Sequence, residues 1–136
     1  MWNKKIKPSI RTLILSGALT LALAACNTAP VREVTDLFKS YKGSPALAAG
    51  ITQYEDGSFA DAIKNLQTSL DQGLSTSDQV KARKYLAFSY CVSSRERLCR
   101  EEFRKALELN PNFELDPAEA GHPIWGPVFR SVKARK

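Results

Sequence analysis

Apolar and small residues from position 45 to position 109 recur at helical spacing and are punctuated by capping residues and breakers. Ser44-Pro45 reads as an N-cap followed by a proline in the first helical turn. A first helix over 45–56 is interrupted at Gly57. Ser58 can cap a second over 59–72, with Asp61 near its positive end and Gly73 as its stop. Thr76 and Gln79 stand at capping-box spacing and predict the start of a third helix, running to about Ser93. A fourth runs from about Glu96 to Leu109, where Asn110-Pro111-Asn112 ends it because proline cannot continue a helix.

Beyond that point Asp116-Pro117 can open a single helical turn, closed by Gly121. His122-Pro123 then predicts another helix carrying Ile124, Trp125, Val128, Phe129 and Val132 as one apolar stripe. That stripe is expected to pack on the fourth helix as a cap, with Pro127 bending its first turn. The pattern predicts an all-α chain.

A repeat lies inside this pattern. Gly50 aligns with Ala87, Ala62 with Cys99, Leu66 with Phe103 and Ser69 with Ala106, always 37 residues apart. In each unit a small residue on the first helix is followed twelve positions later by a small residue on the second. Such pairs let antiparallel helices approach closely, with Leu66 and Phe103 filling the groove beside them. The arrangement resembles the tetratricopeptide repeat, whose period is 34. Leu86-Ala87, Tyr90, Cys99, Phe103, Ala106 and Pro111 fall on its signature positions, and the three extra residues fit the loop "DQGLSTSD", residues 71–78. The alternative is an unrelated pair of helical hairpins. Two units are fewer than a stable array usually needs, so the C-terminal stretch is the candidate cover.

The N-terminal pattern is different. "MWNKKIKPSIR" is basic and "TLILSGALTLALAA", residues 12–25, is continuously apolar but too short for the ~20 residues that cross a bilayer. This reads as a secretory signal. Leu23-Ala24-Ala25-Cys26 resembles the lipobox of bacterial lipoproteins. That resemblance implies cleavage after Ala25 and acylation of Cys26, and two acyl chains already make anchoring stable. Asn27 rather than aspartate after the cysteine favours the outer membrane. Residues 26–44 then form the lipidated cysteine and a tether, either disordered or carrying a short helix through Val31, Val34, Leu37, Phe38 and Tyr41. Residues 45–136 form the helical domain.

This division changes the reading of charge. The whole chain carries 20 basic and 14 acidic side chains, a net of +6. Four of the bases, and no acid, lie in residues 1–25, so the remainder carries 16 against 14, or +2. A near-neutral remainder lacks the basic footprint of a nucleic-acid binder.

Chemistry-bearing residues are few. With Cys26 lipidated, Cys91 and Cys99 remain as an even pair in an exported chain, across a turn that can bring them to disulfide distance. Two free buried thiols are the alternative, and a redox site lacks its C-x-x-C motif. His122, the one histidine, is expected to be structural, and no metal or cofactor is expected. Residues 95–105 alternate in sign and read as a solvated helix face, with Arg95, Arg97 and Arg100 as possible partner contacts. The tail offers Arg130, Lys133, Arg135 and Lys136 against no acid, either as a solvated end or to meet an acidic protein or a lipid headgroup. Nothing in the pattern suggests an enzyme or a small-molecule substrate.

Taken together, the lipobox, the repeat pair containing "YLAFSYCVSSRERLCREEFRKALELNPNFEL" and the block "DPAEAGHPIWGPVF" resemble the TssQ-type lipoproteins associated with bacterial type VI secretion. The resemblance implies a periplasmic accessory of the secretion membrane complex, anchored on the periplasmic face of the outer membrane. It would hold a protein partner on the face formed by the first helix of each unit. Candidate contacts there are Gln53, Tyr54, Arg83, Lys84 and Tyr90, the last equally readable as a core residue. A pilotin-like assembly factor for another outer-membrane complex would use the same groove.

Overall fold

A computed structural model describes residues 41–135; the signal segment, Cys26, most of the tether and Lys136 lie outside the described residues. Among the described residues six helices follow in order: α1 Ser44–Glu55, α2 Phe59–Gln72, α3 Thr76–Val92, α4 Glu96–Leu109, α5 Pro117–Ala120 and α6 Gly126–Lys133. No strand occurs among the described residues. Helices α1 and α2 pack as one antiparallel hairpin and α3 and α4 as a second, with α2 and α1 both against α3. Helix α6 lies on α4, and the single turn of α5 lies on α6.

The two hairpins are tetratricopeptide-like pairs, and the structure extends their 37-residue register into the turns. In the first, Asp56 N–H donates to Thr52 O, Gly57 N–H to Tyr54 O and Ser58 N–H to Gln53 O. In the second, Ser93 N–H donates to Ser89 O, Ser94 N–H to Cys91 O and Arg95 N–H to Tyr90 O. Every donor and acceptor is displaced by 37. The pivot of both turns is left-handed: Gly57 has φ +79° and Ser94 φ +59°. Glycine takes this conformation without penalty, whereas serine gives up about 1 kcal/mol to its Cβ.

Packing explains the small residues. Ala62, Ala87, Cys99, Ala106 and Ser69 are fully enclosed, as are Leu66 and Phe103 beside them. A Cβ on Gly50 would lie 2.7 Å from Leu66 Cγ and 3.1 Å from the Leu66 backbone nitrogen, so α1 rests directly on α2 there. Ser69 departs from the repeat's preference for alanine. It fits because its hydroxyl donates to Leu66 O at 2.7 Å within its own helix, which satisfies a buried polar group at little cost.

Several helix starts differ from the sequence reading. Helix α1 begins at Ser44 with Gly43 as its N-cap, and no side chain caps it. Gly43 is pressed against α2, where a Cβ would meet Ser69 O at 2.1 Å. Helix α3 is capped by Ser75 rather than Thr76: the Ser75 hydroxyl accepts from Asp78 N–H at 3.1 Å. Gln79 instead donates to Leu74 O. The last helix does not begin at His122-Pro123. Residues 123–125 form a turn, α6 starts at Gly126, and Pro127 stands at its N-terminus rather than bending it. Proline belongs in a first turn, where its missing N–H is not needed. Ile124 consequently leaves the apolar stripe and is exposed at 47%. Trp125, Val128 and Phe129 are buried, Phe129 against Phe103 of α4 and Phe113.

Candidate interaction surface

Helix α3 supplies most of the site. Lys81, Lys84, Tyr85 and Phe88 recur at three- and four-residue spacing and share one side of it. Facing them from α1 is Tyr54, whose ring lies 5.2 Å from that of Tyr85 and 6.0 Å from that of Phe88. The run continues as Trp125 stacks on Phe88 at 4.4 Å and His122 stacks on Trp125 at 3.3 Å. Five rings from three separated segments therefore form one ladder across the first helices of both units. His122 is held by Ile124 N–H, which donates to its Nδ1 at 3.2 Å.

The segment 116–125 is clamped onto this ladder through Glu119. Its carboxylate accepts from Asp116 N–H, closing the capping box of α5, and pairs with Lys84 Nζ at 2.6 Å. Its backbone carbonyl accepts from Trp125 Nε1 at 2.9 Å. Lys84 also lies over the rings of Tyr85 and Phe88, at 5.0 and 5.7 Å from their centroids. The ammonium is thus enclosed between a carboxylate and two aromatic faces, and its side chain is only 15% exposed.

The five residues singled out from the sequence fall in three different settings. Gln53 and Tyr54 are half-buried on α1; Gln53 Oε1 accepts from Asn65 Nδ2 of α2 at 2.8 Å. Burial, with Tyr85 and Glu119 nearby, pushes the Tyr54 phenol up to about 12, because an ionised ring would be desolvated beside a carboxylate. Arg83 points the other way, onto Glu102 of α4 at 2.6 Å, and Glu102 also takes Lys105 at 2.9 Å. Tyr90 is core: it is 5% exposed, accepts from Gln67 Nε2 at 2.9 Å and carries the Arg95 guanidinium over its ring. Arg83, Lys84 and Tyr90, like Gln53, are engaged within the chain. Of the ladder's rings Tyr54, Tyr85 and His122 stay partly exposed, and Lys81 beside Tyr85 is exposed.

Residues that the sequence pattern does not single out as functional complete the picture. Glu119 and Trp125 organise the clamp, and Glu102 stands as a buried carboxylate between two cations. The Asp116–Glu119 spacing was a capping-box signal that pointed to the first. Glu102 sat unmarked inside an alternating charge run.

Cys91 and Cys99 form a disulfide with Cα atoms 5.2 Å apart, bracketing the turn whose pivot is Ser94. Among the described residues no group of three His, Cys, Asp or Glu side chains is placed to hold a metal ion. None of the described helices is long and apolar enough to cross a membrane.

Comparison with known proteins adds one relative. The chain is 33% identical over 63 residues to a protein of Synechococcus sp. (strain CC9605) named Photosystem I assembly protein Ycf3. The match covers 46% of this chain and 36% of that protein, so the chain spans about a third of the length of its relative. No family model matches the chain. No solved structure matches it.

Proposed function

We propose that this protein is a non-catalytic adaptor that holds a protein partner on the α1–α3 face and is tethered to the bacterial outer membrane through lipidated Cys26. The observation that carries the reading is the aromatic ladder on a tetratricopeptide-like pair, with Tyr54, Tyr85 and Lys81 at its solvent edge. Tyrosine supplies a large apolar contact and a polar tip at small entropic cost, which suits a binding surface. The relative's name describes an assembly protein, and an assembly or scaffolding role agrees with a helical repeat surface. Within that role the resemblance of the lipobox and of "AGHPIWGPVF" to TssQ-type lipoproteins favours a periplasmic accessory of the type VI secretion membrane complex.

The test is in cells. A photo-crosslinking residue at Lys81 or Tyr85 is expected to capture a protein of the type VI membrane complex, and the adduct should vanish with Tyr54→Ala. Cys26→Ala is expected to abolish labelling by radioactive palmitate and to release the chain from the membrane fraction. A crosslink pattern unaffected by Tyr54→Ala refutes the binding face. Membrane association independent of Cys26 refutes the anchor.

A further inference from the structure

A second surface lies on the other helix of the second unit. Between α4 and the end of α6 runs an open groove of about 610 Å³. Arg97, Arg100, Arg104 and Arg135 line it, with Val132 supplying apolar wall. Glu101 and Glu108 are its two acids, so four arginines against two glutamates leave it at net +2. It shares no lining residue with the aromatic ladder.

The intramolecular pairs in this groove are weak. Arg97 is 85% exposed and 3.9 Å from Glu101, a carboxylate that already sits closer to Lys105, at 3.2 Å. Arg104 pairs with Glu108 and Arg100 with Glu96, both exposed neighbours one turn away. Exposed pairs of this kind contribute little and exchange readily. Arg135 makes no ion pair with another described residue and is exposed. Arg100 is additionally held toward α6 by donating to Ser131 Oγ at 3.1 Å.

We propose that this groove is a second docking surface, and that its occupant is an acidic segment of a partner protein, rich in Asp and Glu. Arg97, Arg100 and Arg104 rise along one side of α4 over roughly 10 Å at 1.5 Å per residue. That spacing matches acids on one face of a helix or on alternate positions of an extended strand. Planar guanidinium groups receive carboxylates in pairs of parallel hydrogen bonds. A bilayer surface fits less well: the groove is concave, and Glu101 and Glu108 would repel anionic headgroups while a peptide can thread its charges between them.

The experiment uses the full chain in mild detergent and a fluorescein-labelled peptide of alternating Glu and Ala, followed by anisotropy at low salt. Binding is expected, with the Gln-for-Glu peptide at least tenfold weaker because the charge contacts are gone. Arg97→Gln with Arg135→Gln is expected to weaken the Glu peptide about tenfold. Lys42→Gln with Lys64→Gln, an equal loss of charge on exposed positions outside both surfaces, should change it less than about twofold. Circular dichroism confirms that each variant is folded. The proposal is overturned if the two peptides bind alike or if the Lys42/Lys64 control weakens binding as much as the groove variant. It is equally overturned if phosphatidylglycerol vesicles, and not the Glu peptide, bind in a way that depends on Arg97 and Arg135.

Discussion

Reduction of the Cys91–Cys99 bond tests how far the second unit depends on its turn. The two residues are eight apart in sequence, so the bond closes a short ring in the unfolded chain. The chain-entropy expression for a loop of that length gives about 2.5 kcal/mol at 25 °C. For a helical domain of this size, 1 kcal/mol moves the midpoint by about 4–8 °C, so loss of the bond should lower Tm by about 10–20 °C. The effect is concentrated at one place. Ser94 is held at φ +59° inside the ring, and it costs about 1 kcal/mol to keep a non-glycine residue there. Freed of the crosslink, the turn can relax, and opening of α3 from α4 should begin at this end.

The assay is thermal unfolding by circular dichroism in a Cys26→Ala background, where only one intramolecular disulfide can form. Wild-type Cys91 and Cys99 are compared with and without reductant, and then with Cys91→Ala/Cys99→Ala. The double variant should lie slightly below the reduced protein, because Cys99 is fully enclosed and its sulfur leaves a small void. Reductant should leave the double variant unmoved. A reductive shift below about 3 °C, or an equal shift in the double variant, would refute the assignment of this stability to the crosslink.

Two other perturbations probe the first unit. Gly50→Ala adds a methyl that would sit 2.7 Å from Leu66 Cγ; the gain in helix propensity of about 1 kcal/mol is outweighed by overpacking, for a net loss of about 1–2 kcal/mol in urea unfolding. A stabilised Gly50→Ala would show that α1 does not rest on α2 as described. Tyr54, whose phenol is pushed up to about 12, keeps its proton in the fold while the unfolded chain loses it near 10. The folded state therefore binds more protons between those values: stability is intact below pH 10 and falls as pH rises toward 12. With the half-exposed ring discounted for solvent screening, the loss is about 1 kcal/mol, and Tyr54→Phe should flatten that part of the profile. An identical alkaline slope in Tyr54→Phe would place the effect elsewhere.

The helices were legible because each carries redundant signals. Gly57 and Gly73 each stand between a run of helical spacing and a new capping residue, and the 37-residue offset between Gly50 and Ala87 or Ala62 and Cys99 reports a packing rule of close helix approach. The helix starts were less so. Ser44, Ser75 and Thr76 all have capping side chains, and only the backbone path decides which is used; Gly43 wins at α1 because the chain there touches Ser69 and Gly73. Pro127 was misread for a related reason. A proline is a helix breaker or a helix starter according to where the preceding turn ends, and that turn carries the stacking of His122 on Trp125, a contact without a periodic signature.

Charge was the least legible property, and the ladder shows why. Lys84 and Lys81 are three residues apart on the same side of α3, yet one is enclosed by Glu119 and two rings while the other is 54% exposed. Only the C-terminal segment distinguishes them, and it lies 35 residues away. The same segment that closes the repeat pair takes up one cation of the α1–α3 face and leaves the tyrosine edge open. On α4 the outcome is reversed: the alternating run read as a solvated face does form exposed i,i+4 pairs, but Glu102 within it is buried between Arg83 and Lys105. A partner that depends on α3 must therefore work through aromatic area, whereas one that depends on α4 has exchangeable arginines to meet. Salt should weaken the second contact far more than the first.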